Sequence, residues 1–447
     1  MIDKQKPALH TLLSLHDFET VASQTLSAKT WAFYSSAATD LITRDANRSM
    51  FDRIWFRPRV LRDVRYVDTR TKLLGVKSQM PVFVSPAALA RLVHPEGEKG
   101  IARGCREKGI IQCVREASGL RRDFEKSRDA CGQADRVCAR QVSTNASYPI
   151  EEILASSPAH PFFFQLYVNK DRPKTEALLA QLRSLDRIAA IFLTVDAPVA
   201  GKREADERVR ADESVSTPMS GAKAGNDKRG GGLGRIMGSY IDATLNWDDL
   251  AWLRRHWDGP IVIKGIQGAA DAKRAMLEGV QGVVLSNHGG RSLDTSPPAI
   301  LILLELQRCC PEVFERMEVY LDGGVRRGTD VLKALCLGAT AVGIGRSFLY
   351  ALNYGEEGVE HMIDRKYLPG VAFDLRRKLL VLLCCAIAAN DEMAAVLKDE
   401  LETSMRMVGI TDLSQVHPGL VNTLDVDPLV PKTMEHPYAK WRPKPRL

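Results

Sequence analysis

Eight short apolar runs, most of them ending in polar or glycine residues, constrain this chain more than any other feature. They are MPVFVSP (80–86), GIIQCV (109–114), FFFQLYV (162–168), AAIFLTVDAP (189–198), PIVIKGI (260–266), GVVLSNHGG (282–290), VYLDGGV (319–325) and AVGIGR (341–346). Their residues are apolar on both faces instead of alternating, which is how parallel strands covered on both sides read. Helical patterns such as GAADAKRAMLEG (268–279) and GTDVLKALCLG (328–338) lie between them. Strand and helix alternating about eight times predict an α/β chain closed into a (β/α)8 barrel. An open, doubly wound sheet is the alternative from pattern alone.

A barrel of this kind carries its chemistry at the C-terminal ends of its strands. Those ends read Gln165 and Tyr167, Thr194 and Asp196, Lys264, Ser286, His288 and Arg291, Asp322 and Gly324, and Gly345 and Arg346. An imidazole titrates near neutral pH and can accept a proton, so His288 is a candidate base, with Asp196 as the carboxylate that orients it. A satisfied structural histidine is the alternative. Arg291 follows in a glycine turn, and Arg203 lies just past the fourth strand; a guanidinium can grip a carboxylate with two parallel hydrogen bonds. Glycines and arginines in LDGGVRRGTDVLKALCLGATAVGIGRSF (321–348) suit a phosphate site after strands seven and eight. A lysine at the position of Lys264 calls for an anionic partner, and Tyr167 offers a phenol at the mouth. The residues thus predict a phosphorylated cofactor, an anionic substrate and a histidine base.

Composition narrows the class. A net charge of +7 over 447 residues is modest, and no basic run with interleaved aromatics points to nucleic acid. Nine cysteines without a CxxC pair fit neither a disulfide framework nor a zinc site, so no metal is expected. The most apolar run, LLVLLCCAIAA (379–389), is too short to span a bilayer. The charged N-terminus does not read as a signal peptide. A cytoplasmic location is the expectation, with a mitochondrial one as the alternative.

SNHGGRSLD, FQLYVNKDR, LTVDAP, GKREAD, VIKGI, HPEGE and LDGGVRRGTDVLKALCLGA together resemble the FMN-dependent L-2-hydroxy acid dehydrogenase/oxidase family. The start and tail of the chain look most like the flavin domain of its cytochrome-linked L-lactate dehydrogenases. The resemblance implies FMN as cofactor and oxidation of a 2-hydroxy acid, such as L-lactate, to the 2-keto acid. It makes His288 the base paired with Asp196, Arg291 and Arg203 the carboxylate clamp, and Tyr167 a contact of the substrate hydroxyl. It sets Lys264 beside the flavin, with Ser85, Pro86, Ala87, Ala88, Ser143, Gln165, Thr194 and Ser286 around the ring. Asp322 would hold the ribityl chain, and Gly324, Arg326, Gly345 and Arg346 the phosphate. Cytochrome c and O2 are both open as electron acceptors. An H2O2-forming oxidase and a flavin-binding homologue without turnover are the rival readings. A homotetramer is expected by resemblance. Two departures stand out: Phe33 occupies a position where many members carry a tyrosine, and Asn145 stands where others have an apolar residue near the substrate side chain.

The chain reads as a single domain, 1–447, with atypical insertions at 114–141 and 365–396. Removing the first joins GIIQC to VSTNASYPIEEI; removing most of the second joins MID to LKDELETSM. Their ends can be encoded with intron-like borders, so retained introns and genuine surface insertions are both open. The stretch 201–240, rich in glycine and charge, reads as a long mobile loop after the fourth strand and a plausible lid.

Overall fold

The computed structural model describes residues 6–115, 146–212, 226–228, 230–363 and 396–435. Eight parallel strands close into a barrel: β1 (Val82–Val84), β2 (Ile111–Arg115), β3 (Phe162–Leu166), β4 (Ile188–Thr194), β5 (Ile261–Ile266), β6 (Gly282–Leu285), β7 (Glu318–Asp322) and β8 (Ala341–Ile344). Neighbours in sequence pair around the ring, and β8 closes it on β1 through Val342 with Val82 and Ile344 with Val84. The closed barrel read from the sequence is therefore correct, and the open sheet is excluded.

The absence of polar alternation has a direct cause: both faces of each strand are covered. Phe83, Cys113, Phe163, Phe192, Val262, Val284 and Tyr320 fill the barrel interior. Phe163 stacks on Phe192 with ring centroids 4.9 Å apart, and Phe83 meets Phe192 edge-on at 5.8 Å. Alternate residues such as Val82, Phe162, Phe164, Ile191 and Ile263 belong to the outer core under the helices. Leu73, from the hairpin Thr71–Leu73/Val76–Ser78, also joins the interior cluster, while Glu318 at the start of β7 accepts from Leu74 N. That hairpin therefore caps the end of the barrel opposite the strand C-termini.

Three helices precede the barrel: α1 (Leu15–Thr25), α2 (Ala28–Ser35) and α3 (Ile42–Asp52). Ser14 and Ser27 cap α1 and α2 by accepting from Asp17 N and Thr30 N, as serine does at the start of a helix. No side chain of α3 or its neighbours caps that helix. Asp294, from the distant loop after β6, does so instead, accepting from Thr43 N at 2.8 Å and Asp40 N at 2.9 Å.

Two sequence expectations change. The stretch 201–240 is not simply a loop: it contains α4 (Glu204–Arg208) and α5 (Leu233–Gly238), the latter meeting its surroundings through closely packed glycines. Residues 213–225 and 229 lie outside the described residues. Strand β2 continues through Val114 and Arg115, which pair with Phe164 and Gln165, so the first two residues of the 114–141 segment serve in the barrel. The rest of that segment from 116 on, and 364–395, lie outside the described residues, as do Ser143 and Asn145. Among the described residues no helix is long and apolar enough to cross a membrane.

Candidate active site

The sequence-selected strand ends converge. A cavity of about 430 Å³ opens at the C-terminal end of the barrel, within the size range of small-molecule sites. Ser85, Pro86, Ala87 and Ala88 line it after β1, Gln165 and Tyr167 after β3, and Thr194 and Lys264 at the ends of β4 and β5. His288 and Arg291 follow β6, Asp322, Gly324 and Arg326 follow β7, and Gly345 and Arg346 follow β8. Asp196 and Ser286 stand behind this lining as buried partners. Arg203 lines a second, smaller cavity of about 40 Å³ next door, shared with Phe33, Ala88, Tyr167, Val199, His288 and Arg291.

His288 is the centre of the arrangement. Its Nδ1 lies 2.8 Å from Asp196 Oδ1, and its Nε2 lies 3.5 Å from the Tyr167 hydroxyl. Burial outweighs the Asp196 charge and lowers the His288 pKa from its ordinary value, with Lys264 and Arg203 adding to the lowering. Asp196 resists the upward push of its own burial because His288 and Lys264 hold it ionised, and its pKa falls. The ring is therefore neutral near pH 7, and a carboxylate waits for the cation that forms when Nε2 takes a proton. The backbone of His288 has φ +61°, a left-handed conformation costly for a residue with a Cβ. It is held there by Ser286 Oγ, which accepts from His288 N at 3.1 Å, and by the turn in which Gly290 N donates to Asn287 O. Gly290, at φ +80°, also passes so close to α3 that a Cβ would lie 2.6 Å from Arg44 N. Only glycine meets both demands, which explains the glycines that follow the histidine.

Lys264 is buried and donates to Ser286 Oγ at 2.8 Å, with Asp322 Oδ2 also at 2.8 Å. Burial alone would lower its pKa; Asp322 and Asp196 outweigh burial and raise it. A fixed cation thus sits in the cavity wall. Arg291 is held by carbonyls at the end of α2, donating to Phe33 O, to Tyr34 O at 2.7 Å and to Ser36 O at 3.3 Å. Burial pushes its guanidinium well below the ordinary value, and Arg203 and Arg346 push the same way. Two such cations side by side favour an anionic ligand between them.

The other end of the cavity is more basic than the sequence reading foresaw. Arg44 and Arg48 of α3 join Arg326 and Arg346 there, and Glu19 of α1 pairs with Arg326, Nη2 to Oε1 being 3.1 Å. Gly324, at φ +86°, runs against α3 so tightly that a Cβ would lie 2.0 Å from Asn47 O. Asn47 and Asn287 exchange side-chain hydrogen bonds at 2.8 Å. None of these α1 and α3 residues was selected from the sequence, because they precede the strand rhythm; the polar-apolar spacing of ITRDANRSMFD was the one available signal. Glu98, in the HPEGE motif, is buried and accepts from Ala90 N and Ser147 N, tying the loop after β1 to the segment before β3.

The residues suit a flavin nucleotide. Gln165 Nε2 donates to Thr194 Oγ1 at 2.9 Å, while its buried Oε1 has no partner among the described residues, leaving an acceptor for a ligand N–H. The arginines and the glycine backbone at 323–326 and 345–346 suit a phosphate.

Comparison with known proteins decides the family. The model of the FMN-dependent dehydrogenase family matches residues 22–123 and 125–366. The chain belongs to the FMN-dependent dehydrogenase family. Its cofactor is FMN. The chain is 38% identical to the L-lactate dehydrogenase (cytochrome) of Saccharomyces cerevisiae over 96% of its own length, and spans 64% of that protein's length. It is 37% identical to the glycolate oxidase of Spinacia oleracea, over 79% of this chain and 88% of that one. The flavin-binding domain of baker's yeast flavocytochrome b2 superposes with a TM-score of 0.72 at 36% identity, covering 99% of this chain and 94% of that one.

Proposed function

We propose that this protein oxidises a small L-2-hydroxy acid, L-lactate or a close relative, to the 2-keto acid. The observation that carries the reading is the Asp196–His288 pair, poised between Arg203, Arg291 and a cavity that fits FMN. The similarity to the yeast and spinach enzymes supports it.

Bound FMN supplies the two-electron acceptor. Gln165, Thr194, Ser286 and the backbone of 85–88 would hold its ring, with Ser143 assigned the same role by resemblance. Lys264 would offset negative charge on the reduced ring, Asp322 would meet the ribityl chain, and Gly324, Arg326, Gly345 and Arg346 would take the phosphate. Arg291 and Arg203 would grip the substrate carboxylate, and Tyr167 would meet its hydroxyl. The substrate would give up two protons and two electrons in all: one proton would pass to His288 Nε2, and the electron pair with the other proton to the bound FMN. Asp196 stabilises the imidazolium through Nδ1, and solvent receives the proton when the product leaves. The small second cavity, walled by Phe33, Ala88 and Val199, suits a short side chain on the substrate.

The test is the visible spectrum of the purified chain, recorded anaerobically before and after L-lactate. Bleaching of an oxidised flavin spectrum is the expected result. Flavin that stays oxidised with L-lactate, glycolate and longer 2-hydroxy acids alike would overturn the reading. Reoxidation of the bleached enzyme by cytochrome c, compared with O2, assigns the acceptor, for which we favour cytochrome c on the similarity to the yeast enzyme. The same reading takes the chain as one barrel domain, assembling as a homotetramer, with 114–141 and 365–396 as additions to it. Transcript sequencing distinguishes retained introns from insertions, and light scattering reads the assembly.

A further inference from the structure

Helix α2 seats one substrate-facing arginine directly and reaches the neighbours of the other. Its last carbonyls receive Arg291, where the negative end of the helix favours a cation. Its first turn carries Lys29, which reaches into the segment after β4. Lys29 Nζ lies 2.6 Å from Asp206 Oδ1 and donates to Val209 O at 2.9 Å and to Asp206 O. Asp206 is buried in α4, the short helix that starts at the residue after Arg203. Its other oxygen accepts from Gly234 N at 3.0 Å, which fastens the start of α5 to the same point. Gly234 in turn lies against the Arg203 guanidinium: a Cβ there would be 2.7 Å from Nη1 and 3.0 Å from Cζ. The φ of Gly234 is not in the left-handed region, so an alanine would displace the arginine and leave the backbone unstrained.

We propose that Lys29, Asp206 and Gly234 are positioning residues that fix Arg203 on α2, making that helix the common mount of both guanidinium groups. The proposal rests on the reading of Arg203 and Arg291 as the carboxylate clamp. A charged pair that is nearly fully buried is costly unless its geometry is used. Here it links α2 to the residues that follow Arg203, while Thr39 N, just past α2, donates to Lys202 O at 3.0 Å on the other side of that arginine. With the mount intact, the spacing between the two arginines is set by one rigid helix. Without it, Arg291 keeps its carbonyls while Arg203 loses its fixed position.

The experiment compares FMN-loaded wild type with Lys29→Met, Asp206→Asn, Gly234→Ala and Lys29→Arg. Pyruvate affinity is read anaerobically from the change it makes in the flavin spectrum, and kcat and KM are measured with L-lactate. The expected result is a rise of about tenfold or more in pyruvate Kd and in KM for Lys29→Met, Asp206→Asn and Gly234→Ala. Their kcat should stay within about threefold of wild type and their flavin content should be unchanged, while Lys29→Arg restores binding. Gly234→Ala keeps the ion pair, so it tests positioning even where loss of the pair harms folding. Unchanged pyruvate Kd in Lys29→Met and Gly234→Ala would overturn the mount and leave the function standing. Equal losses of flavin and binding in every variant would also overturn it, as the signature of general destabilisation. A wild type that neither binds pyruvate nor is bleached by L-lactate would instead sink the functional reading, and the mount with it.

Discussion

The loops after β4 and after β6 supply complementary parts of one site, yet they are held in opposite ways. The β6 loop is braced from several sides: Asp294 caps α3, Asn287 bonds Asn47 reciprocally, Gly290 O accepts from Ala38 N, and Arg291 is seated on the carbonyls of α2. The β4 segment, beyond Asp196, is tied to the N-terminal helices by fewer bonds, through Lys29 and Asp206 and through Thr39 N, which donates to Lys202 O at 3.0 Å. The base needs fixed geometry, because its proton transfer depends on tenths of an ångström. A second carboxylate contact has only to be in place when substrate is bound. The division follows chemical need: bracing is concentrated where a strained φ at His288 has to be maintained.

The most severe way to break the comparison is at the base itself. His288→Asn should lower kcat by about 10²- to 10⁴-fold, the usual worth of a positioned general base, while FMN remains bound. Loss of the flavin spectrum in this variant would mean that the loop, and not the imidazole, carries the effect.

Asp196→Asn comes next, with a roughly 10²-fold loss and a change in pH dependence. The neutral ring is the active form, so kcat/KM should fall as pH drops through the His288 pKa, which burial holds below the ordinary 6.5. Asp196 raises that pKa, so replacing it should move the acid limb to lower pH, even as the maximum falls. A limb that moves up would contradict the pairing seen at 2.8 Å.

Asp294→Ala tests the bracing without touching the reacting groups. Three backbone N–H groups and the Thr39 hydroxyl lose one acceptor, at a cost of about 2 kcal/mol for buried donors left unmade. Although burial pushes the Asp294 pKa up, the hydrogen bonds from Thr43 and Thr39 prevail and hold it at about 2. A depressed carboxylate pKa stabilises the fold above the unfolded value near about 3.9 and loses that contribution as pH falls toward 2. Denaturant midpoints should therefore separate wild type from Asp294→Ala at pH 7 and converge near pH 2. Because α3 also carries Arg44 and Arg48, flavin affinity should fall in this variant, which loss of Lys29 should not cause.

The barrel was legible because its strands have no polar face: burial on both sides writes continuous apolar runs, and every run became a barrel strand. His288, Asp196, Lys264 and Arg291 were legible for the same reason, since a polar residue ending such a run has nowhere to go but the mouth. Glu19, Arg44, Arg48 and Asn47 were not, because they sit on amphipathic helices whose polar faces read as solvent-facing. What turns the α3 face inward is the contact with the β6 and β7 loops through Gly290 and Gly324, and Glu19 of α1 is drawn in by its pairing with Arg326, long-range facts that no local pattern carries. The stretch 201–240 misled by composition. Its glycines read as freedom, yet Gly234 is small because Arg203 lies against it.

The smallest expected effect sharpens the contrast from the α2 side. Phe33 is fully buried, lines the smaller cavity, and has the Arg291 guanidinium 5.5 Å from its ring centre. Phe33→Tyr adds one hydroxyl to a wall shared by both arginines. One net hydrogen bond to a carboxylate is worth about 1 kcal/mol, so KM for L-lactate should fall about fivefold, with kcat and flavin content unchanged. The gain requires both guanidinium groups to hold the carboxylate against that wall. In the Lys29→Met background Arg203 is no longer fixed, and the same substitution should bring a smaller improvement. An equal gain in both backgrounds would show that Arg291 alone seats the carboxylate, and that the braced loop needs no help from the other.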